Sequence, residues 1–204
     1  MKSNRIYLAS RSSRRSELLR QLGVAFEVLL LREDPQRGID VDEAPLAGET
    51  PTAYVMRTAR VKAKAAARVI ARRTRPPHTV LAADTTVVLD GEIIGKPASA
   101  RHARQLLLRL SGQAHQVLTA VAVEHMERVE TALSVSEVEF RGLGADEIRR
   151  YVASGEPLDK AGAYAIQGRG AVFVRAISGS YSGIVGLPLF ETAELLRRFG
   201  ITPW

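Results

Sequence analysis

"HTVLAADTTVVLDGEIIGKP", His78 to Pro97, sets two apolar runs on either side of a carboxylate and then turns at Asp90-Gly91. Asp-Gly between apolar runs is a strong hairpin signal, because the tight hairpin turn needs positive φ at both positions. The reading is a strand broken by Asp84, a second run from Thr85 to Leu89, and a return through Glu92, Ile93 and Ile94. Along the whole chain, strands and helices mix without strict βαβ alternation. This predicts an α/β fold with a mixed, strongly curved sheet and flanking helices.

Upstream, "RIYLAS" reads as the first strand, and Ser12 or Ser13 is placed to cap the helix that follows. Leu18, Leu19 and Leu22 face inward before Gly23 ends that helix. "FEVLLL" is a second strand, and "REDPQRGIDVDEAP" is a polar loop. Thr50 and Pro51 then start an Ala-rich helix that runs to about Arg73. Val55, Ala59, Lys62, Ala66 and Val69 share one stripe of it, so Lys62 is a charge where the pattern asks for an apolar residue.

Downstream, "SARHARQLLLRLSG" is a helix from Ser99 to Gly112, and "QVLTAVAVEH" and "VETALSVSEVEF" are neighbouring strands. "GADEIRRYVASG" is a helix with Ile148, Tyr151 and Val152 inward, "AVFVRAI" a strand, and "LPLFETAELLRRFG" the closing helix. No repeat, linker or low-complexity tract divides the chain. It reads as one domain over residues 1–204, long enough and apolar enough, at 46% hydrophobic, for a real core.

Composition narrows the chemistry. No apolar run reaches the roughly 20 residues of a membrane span, and "MKSNRIYLAS" lacks the features of a signal peptide, so the expected location is the cytoplasm. With no cysteine, disulfides and thiolate metal sites are excluded. The four histidines, His78, His102, His115 and His125, show no paired ligand spacing, which argues against a zinc site. A net charge of +7 suits a nucleic acid, an acidic membrane surface or a phosphorylated small molecule; equally, 29 basic residues with only five lysines can reflect codon bias.

Three stretches carry candidate chemistry. "LASRSSRRSELL", Leu8 to Leu19, puts serines and arginines where a strand gives way to a helix, the arrangement that offers backbone N–H groups to phosphate. Arg14 and Arg15 lie in the first turn, where the helix dipole disfavours cations by about 0.3–1 kcal/mol unless an anion binds. They are either that anion's partners or ordinary solvated arginines. Asp84, inside an apolar stretch, is costly unless paired, hydrogen-bonded or holding a metal; it is either catalytic or the end of a strand. The hairpin returns Lys96 toward that carboxylate. "EPLDKAGAYAIQGRGAVF" combines small residues with Asp159, Lys160 and Gln167, as in a loop whose backbone approaches a ligand, and a structural bulge accounts for its glycines equally well. "GSYSGIVGLPL" reads as a helix-entry turn.

Taken in order, "LASRSSRRSELL", "RVKAKAA", "AADTTVVLDGEIIGKP", "LSGQAHQVLTAVAV", "YVASGEPLDKAGAYAIQGRG" and "GSYSGIVGLPL" closely resemble the Maf family of nucleoside triphosphate pyrophosphatases, from about Tyr7 to Phe199. The resemblance implies an elongated Maf and inosine-triphosphatase-like fold with a deep cleft between two lobes, and a homodimer. It implies hydrolysis of a nucleoside triphosphate to the monophosphate and pyrophosphate with Mg²⁺ or Mn²⁺, as a housecleaning activity. Arg14, Thr85 and Gln167 match the subgroup that prefers dTTP and UTP. The family's "SPRR" is "SSRR" here, with Ser13 for the proline, and both residues suit a first helical turn.

The roles implied are Asp84 as base, Glu43 and Asp84 as metal ligands, and Ser10, Arg14, Arg15, Lys62 and Lys96 on the triphosphate. Gln167 with Thr85 would read the base, since an amide supplies both a donor and an acceptor. Glu43 is aligned across a loop, Arg32 to Pro45, longer than is usual in the family. The alternatives are the same hydrolysis on 7-methyl-GTP or another modified purine, or a basic module for nucleic-acid binding or cell-division control. Against that module, aromatics are only 5% of the chain and are not interleaved with the basic residues, so stacking platforms are scarce and a nucleic-acid partner is not expected.

Overall fold

A computed structural model describes residues 5–32, 38–73 and 75–204. Residues 33–37 of the long polar loop lie outside them. The chain runs β1 (Arg5–Leu8), α1 (Ser13–Gln21), β2 (Ala25–Val28), α2 (Pro51–Arg72), β3 (Val80–Leu89), β4 (Glu92–Ile94), α3 (Ala100–Leu110), β5 (Ala114–His125), β6 (Arg128–Phe140), α4 (Ala145–Ala153), β7 (Val174–Ser178), α5 (Tyr181–Val185) and α6 (Leu189–Arg198). Single 3₁₀ turns at Glu156–Asp159, Ala161–Ala163 and Arg169–Phe173 carry the segment before β7.

The sheet is mixed, as predicted, with the order β2-β1-β3-β5-β6-β7 and β4 added to β3. β1 runs parallel to β2 and β3, while β3, β5, β6 and β7 are successively antiparallel. The β3–β4 turn forms at Asp90 (φ 51°) and Gly91 (φ 80°), as Asp-Gly requires. One expectation fails: Asp84 does not break the strand. β3 is continuous over ten residues, and Asp84 pairs in register with Ala120 of β5, so the carboxylate leaves through the side-chain direction without disturbing the ladder.

Alternation along β3 assigns its two faces. Val80, Ala82 and Val88 pack on the α2 stripe of Val55, Ala59, Ala63 and Ala66. Leu81 and Ala83 face Leu18 and Leu19 of α1 with Leu195 and Leu196 of α6, and Val87 and Leu89 face α3 and α4. Pairing with β1 ends at Leu81 and pairing with β4 begins at Val87, which leaves residues 82–86 as an open edge. The functional cleft lies along this opening.

Smaller corrections concern ends. β2 stops at Val28, and Ala171 to Phe173, expected in a strand, lie in a 3₁₀ turn before β7. Ser12 stands at the start of α1 without a side-chain cap; its N–H instead donates to Ser10 Oγ at 3.1 Å.

His115 lies in the α3–α4 core, 2% exposed, edge-on to Phe140 and Tyr164, with Nε2 2.9 Å from the Tyr164 hydroxyl and Nδ1 unpartnered. Burial pushes its pKa down to about 4. The native state thus keeps it neutral, while the unfolded chain takes up a proton below about pH 6.5. Its stabilising contribution is complete above that pH and is lost as pH falls through about 4, by at most about 1.4 kcal/mol per pH unit. Denaturant unfolding between pH 6.5 and 5 is expected to show a shallower pH slope in His115→Phe than in the parent.

Candidate active site

The cleft along the open edge of β3 has a volume of about 670 Å³, within the range of small-molecule sites. All nine residues given a role from the sequence, Ser10, Arg14, Arg15, Glu43, Lys62, Asp84, Thr85, Lys96 and Gln167, line it. They come from three elements and four loops, gathered because neighbouring residues of β3 point to opposite faces.

Asp84 points toward α2. It is 8% exposed, and its Oδ1 accepts from Lys62 Nζ at 2.8 Å. Lys62 is the charge on the apolar stripe of α2; its position faces the sheet, so a cation there meets the strand's carboxylate. The same ammonium donates to Glu43 Oε2 at 2.7 Å, which brings Glu43 to the site despite the long loop before it. Two carboxylates therefore converge on one cation. α2 itself starts cleanly, with Thr50 Oγ1 accepting from Ala53 N and Pro51 in the first turn.

Thr85 points the other way, toward α1. Arg15 Nη2 donates to Thr85 Oγ1 at 3.1 Å and Arg15 Nε to the Gly186 carbonyl at 2.8 Å, with a long contact of 3.5 Å from Nη1 to Ser10 Oγ. Thr119 Oγ1 lies 2.9 Å from Thr85 Oγ1 and 2.8 Å from the Gly183 carbonyl. A hydroxyl carries one proton, so if Thr119 donates to Gly183, Thr85 donates to Thr119 and accepts from Arg15. The Thr85 hydroxyl thus braces Arg15. Burial lowers the pKa of Arg15, the Asp84 charge opposes that, and Arg14 adds to it; a guanidinium remains charged throughout.

Arg14 has no hydrogen-bonded partner among the described residues, and its charge helps lower the pKa of Asp159 beneath the larger effects of burial and Lys160. The first turn of α1 has neither a side-chain cap nor an acidic residue. Its free N–H groups, together with Arg14 and the Ser10 hydroxyl, form one anion-accepting corner. Lys96, just past β4, is exposed in the cleft without a protein partner among the described residues.

The wall carrying Gln167 is held by residues that were not singled out for chemistry. Glu156 Oε1 accepts from Tyr151 Oη at 2.9 Å and from Gly170 N at 3.1 Å, and Oε2 accepts from Arg169 N at 3.0 Å. Tyr151 Oη accepts in turn from Ala165 N at 3.2 Å. Burial raises the pKa of Glu156, but the Arg169 and Gly170 N–H groups and the Tyr151 hydroxyl outweigh it and hold the carboxyl below its ordinary value. A Cβ at residue 168 would lie 2.6 Å from both Glu156 oxygens, so glycine is required for this close approach. Tyr151 was read only as an inward core residue, and Glu156 was legible only as one of several acidic loop residues. Tyr54 was also missed; it lines the cleft, and burial, then the charges of Asp84 and Glu43, raise its pKa and keep its hydroxyl a donor.

With this geometry in place, comparison with known proteins is decisive: residues 5–199 match the model of the Maf-like protein family. The chain belongs to the Maf family. The dTTP/UTP pyrophosphatase of Aromatoleum aromaticum is 57% identical, the alignment covering 96% of each chain. That of Nitrosospira multiformis is 58% identical, over 97% of this chain and 96% of its own. Among solved structures, the Ham1 protein of Staphylococcus aureus aligns over 96% of this chain and 97% of its own, at 18% identity and a TM-score of 0.49.

Removing the Tyr151 hydroxyl leaves Ala165 N–H and one Glu156 oxygen short of a partner, a loss of roughly 1–3 kcal/mol. In Tyr151→Phe, hydrogen exchange of the Ala165, Arg169 and Gly170 amides is expected to accelerate, while exchange in β3 and β5 stays at the parent rate.

Proposed function

We propose that this chain hydrolyses dTTP and UTP to the nucleoside monophosphate and pyrophosphate, using Glu43 and Asp84 with a divalent metal ion. The observation that carries the reading is one cleft holding two converging carboxylates at one end and an anion-accepting helix terminus at the other. The dTTP/UTP pyrophosphatases more than half identical over nearly the full chain support both reaction and base.

Glu43 and Asp84 fit Mg²⁺ or Mn²⁺. They are hard oxygen donors already drawn around one cation, Lys62. Among the described residues no group of three or more His, Asp or Glu converges, and Mg²⁺ is commonly held by one or two carboxylates plus substrate phosphates and water. Such an ion, when bound, supplies charge neutralisation at the phosphate oxygens.

The protein's own residues do the rest. The α1 N–H groups, Ser10 and Arg14 hold the triphosphate, while Lys62 and Lys96 add point charges along it. Arg15 contributes mainly charge, because Gly186 and Thr85 occupy its principal donors. Asp84, whose Oδ1 accepts from Lys62 in the free protein, is the base that orients a water and accepts its proton. The water oxygen bonds to the α-phosphorus as the bond from that phosphorus to the bridging oxygen breaks. The electron pair leaves with pyrophosphate, whose developing charge the lysines stabilise.

Gln167 meets the base. A pyrimidine with O4 and N3–H matches the donor and acceptor of an amide, and an unpaired partner costs about 1–3 kcal/mol against a wrong base. Thr85 shares this task from the cleft wall, and its hydroxyl also accepts from Arg15. A cytoplasmic homodimer completes the proposal; among the described residues no helix is long and apolar enough to cross a membrane.

Pyrophosphate release from a panel of canonical and modified triphosphates with Mg²⁺ or Mn²⁺ tests the reading. dTTP and UTP are expected to lead, with Asp84→Asn slowing turnover roughly 10²- to 10⁴-fold. Turnover led by 7-methyl-GTP would transfer the site to a modified purine, and no turnover, with salt-sensitive binding to DNA, would make the chain a nucleic-acid module. Gln167→Glu is expected to reorder the base ranking while leaving Mn²⁺ dependence unchanged.

A further inference from the structure

Lys62 stands where the proposed metal site would place its ion. Its ammonium is 2.7 Å from Glu43 Oε2 and 2.8 Å from Asp84 Oδ1; the Lys62 and Asp84 side chains are only 14% and 11% exposed, so their pairing is largely shielded from water, while Glu43, at 42%, is open to solvent. A Mg²⁺ ion binds oxygen at about 2.0–2.1 Å and carries two charges. It cannot share the space between these carboxylates with an ammonium, which occupies their facing oxygens and repels it. The ion can enter only as Lys62 leaves.

The structure also supplies a destination for Lys62. Its backbone is fixed, because Ala59, Ala63 and Ala66 around it are fully buried against the sheet. Its flexible four-carbon stem reaches into the same cleft as Arg14, Lys96 and the N-terminus of α1. In the free protein the carboxylates are the anions within reach. A bound triphosphate adds a second set, and its negative charge favours transfer of the ammonium from carboxylate to phosphate.

We infer that Lys62 is an internal counter-cation that makes metal binding and triphosphate binding cooperative. This rests on the reading that Glu43 and Asp84 hold the metal. Without nucleotide, Lys62 competes with the divalent ion; with nucleotide, it transfers to phosphate and vacates the carboxylates. Coupling between two binding events is reciprocal, so the metal strengthens nucleotide binding by the factor by which nucleotide strengthens metal binding.

The test is Mn²⁺ binding followed by the electron paramagnetic resonance signal of the free ion. It is run on the parent, Lys62→Gln, Lys62→Met and Lys62→Arg, with and without a non-hydrolysable dUTP analogue, subtracting the analogue's own chelation from a protein-free titration. In the parent, the analogue is expected to tighten Mn²⁺ binding at least tenfold. Without nucleotide, Lys62→Gln and Lys62→Met are expected to bind Mn²⁺ at least tenfold more tightly than the parent, whereas Lys62→Arg, which keeps the charge, stays within about threefold of it. Equal nucleotide-free affinity in parent, Gln and Met variants, or no effect of the analogue on the parent, overturns the inference and leaves the metal site standing. No Mn²⁺ binding by any of the proteins, with or without the analogue, overturns the metal reading and the inference together. The parent measurement needs no variant to fold.

Discussion

A carboxylate in the middle of a buried strand is the constraint around which this protein is organised. Asp84 lies where its neighbours are Ala83 and Thr85, and its backbone is engaged with β5. An ionised group so enclosed must find a cation or become protonated. The cation comes from α2, where Lys62 replaces a small apolar residue on the stripe that packs against the sheet. Glu43 is drawn in by the same ammonium. The residue next to Asp84 does the equivalent for the opposite wall, because a strand alternates its side chains. Thr85 holds Arg15, and Arg15 holds Gly186, so a single dipeptide anchors α1 and α5 as well as α2.

Much of this was legible in the sequence, for identifiable reasons. The 3.6-residue stripe of α2 exposed Lys62 as an anomaly, and an Asp in an apolar strand is an anomaly of the same kind. That the two meet follows from the helix packing on the strand. The Asp-Gly turn was readable because few dipeptides adopt its backbone. The continuity of β3 is not legible there, because a polar residue suggests a strand end, whereas the Asp84 side chain leaves the sheet plane and does not disturb the ladder. At Ser12 the residue type suits a cap, yet its side chain makes none, and its own N–H donates to the Ser10 hydroxyl.

Other features could not be read because they depend on backbone groups brought close only by folding. Glu156 binds the amides of Arg169 and Gly170, fourteen residues or fewer along the chain but joined by no periodic element. Acidic residues in loops are common, and nothing in its immediate neighbours distinguishes this one. The glycine at 168 was the nearest signal, since a missing side chain can mark the approach of another group. Thr85 shows the opposite limit. The family resemblance implies its place at the cleft, where it lies, whereas its hydrogen bonds to Arg15 and Thr119 depend on the fold and have no local signal.

The gap between β1 and β4 has a consequence for the solubility of the chain. Five residues of a central strand, 82–86, lack a strand neighbour on one side, and a bare strand edge is a template for pairing with another polypeptide. Of its residues, Ala82, Ala83, Asp84 and Thr86 are buried and Thr85 is half-buried. Arg14, Lys62 and Lys96 line the cleft along that opening, and charged side chains beside an unpaired edge are a common barrier to intermolecular strand addition. The cations that would receive a small anion therefore also act as gatekeepers against aggregation, and replacing them with apolar residues would endanger the folded protein's dispersion in solution as well as its chemistry.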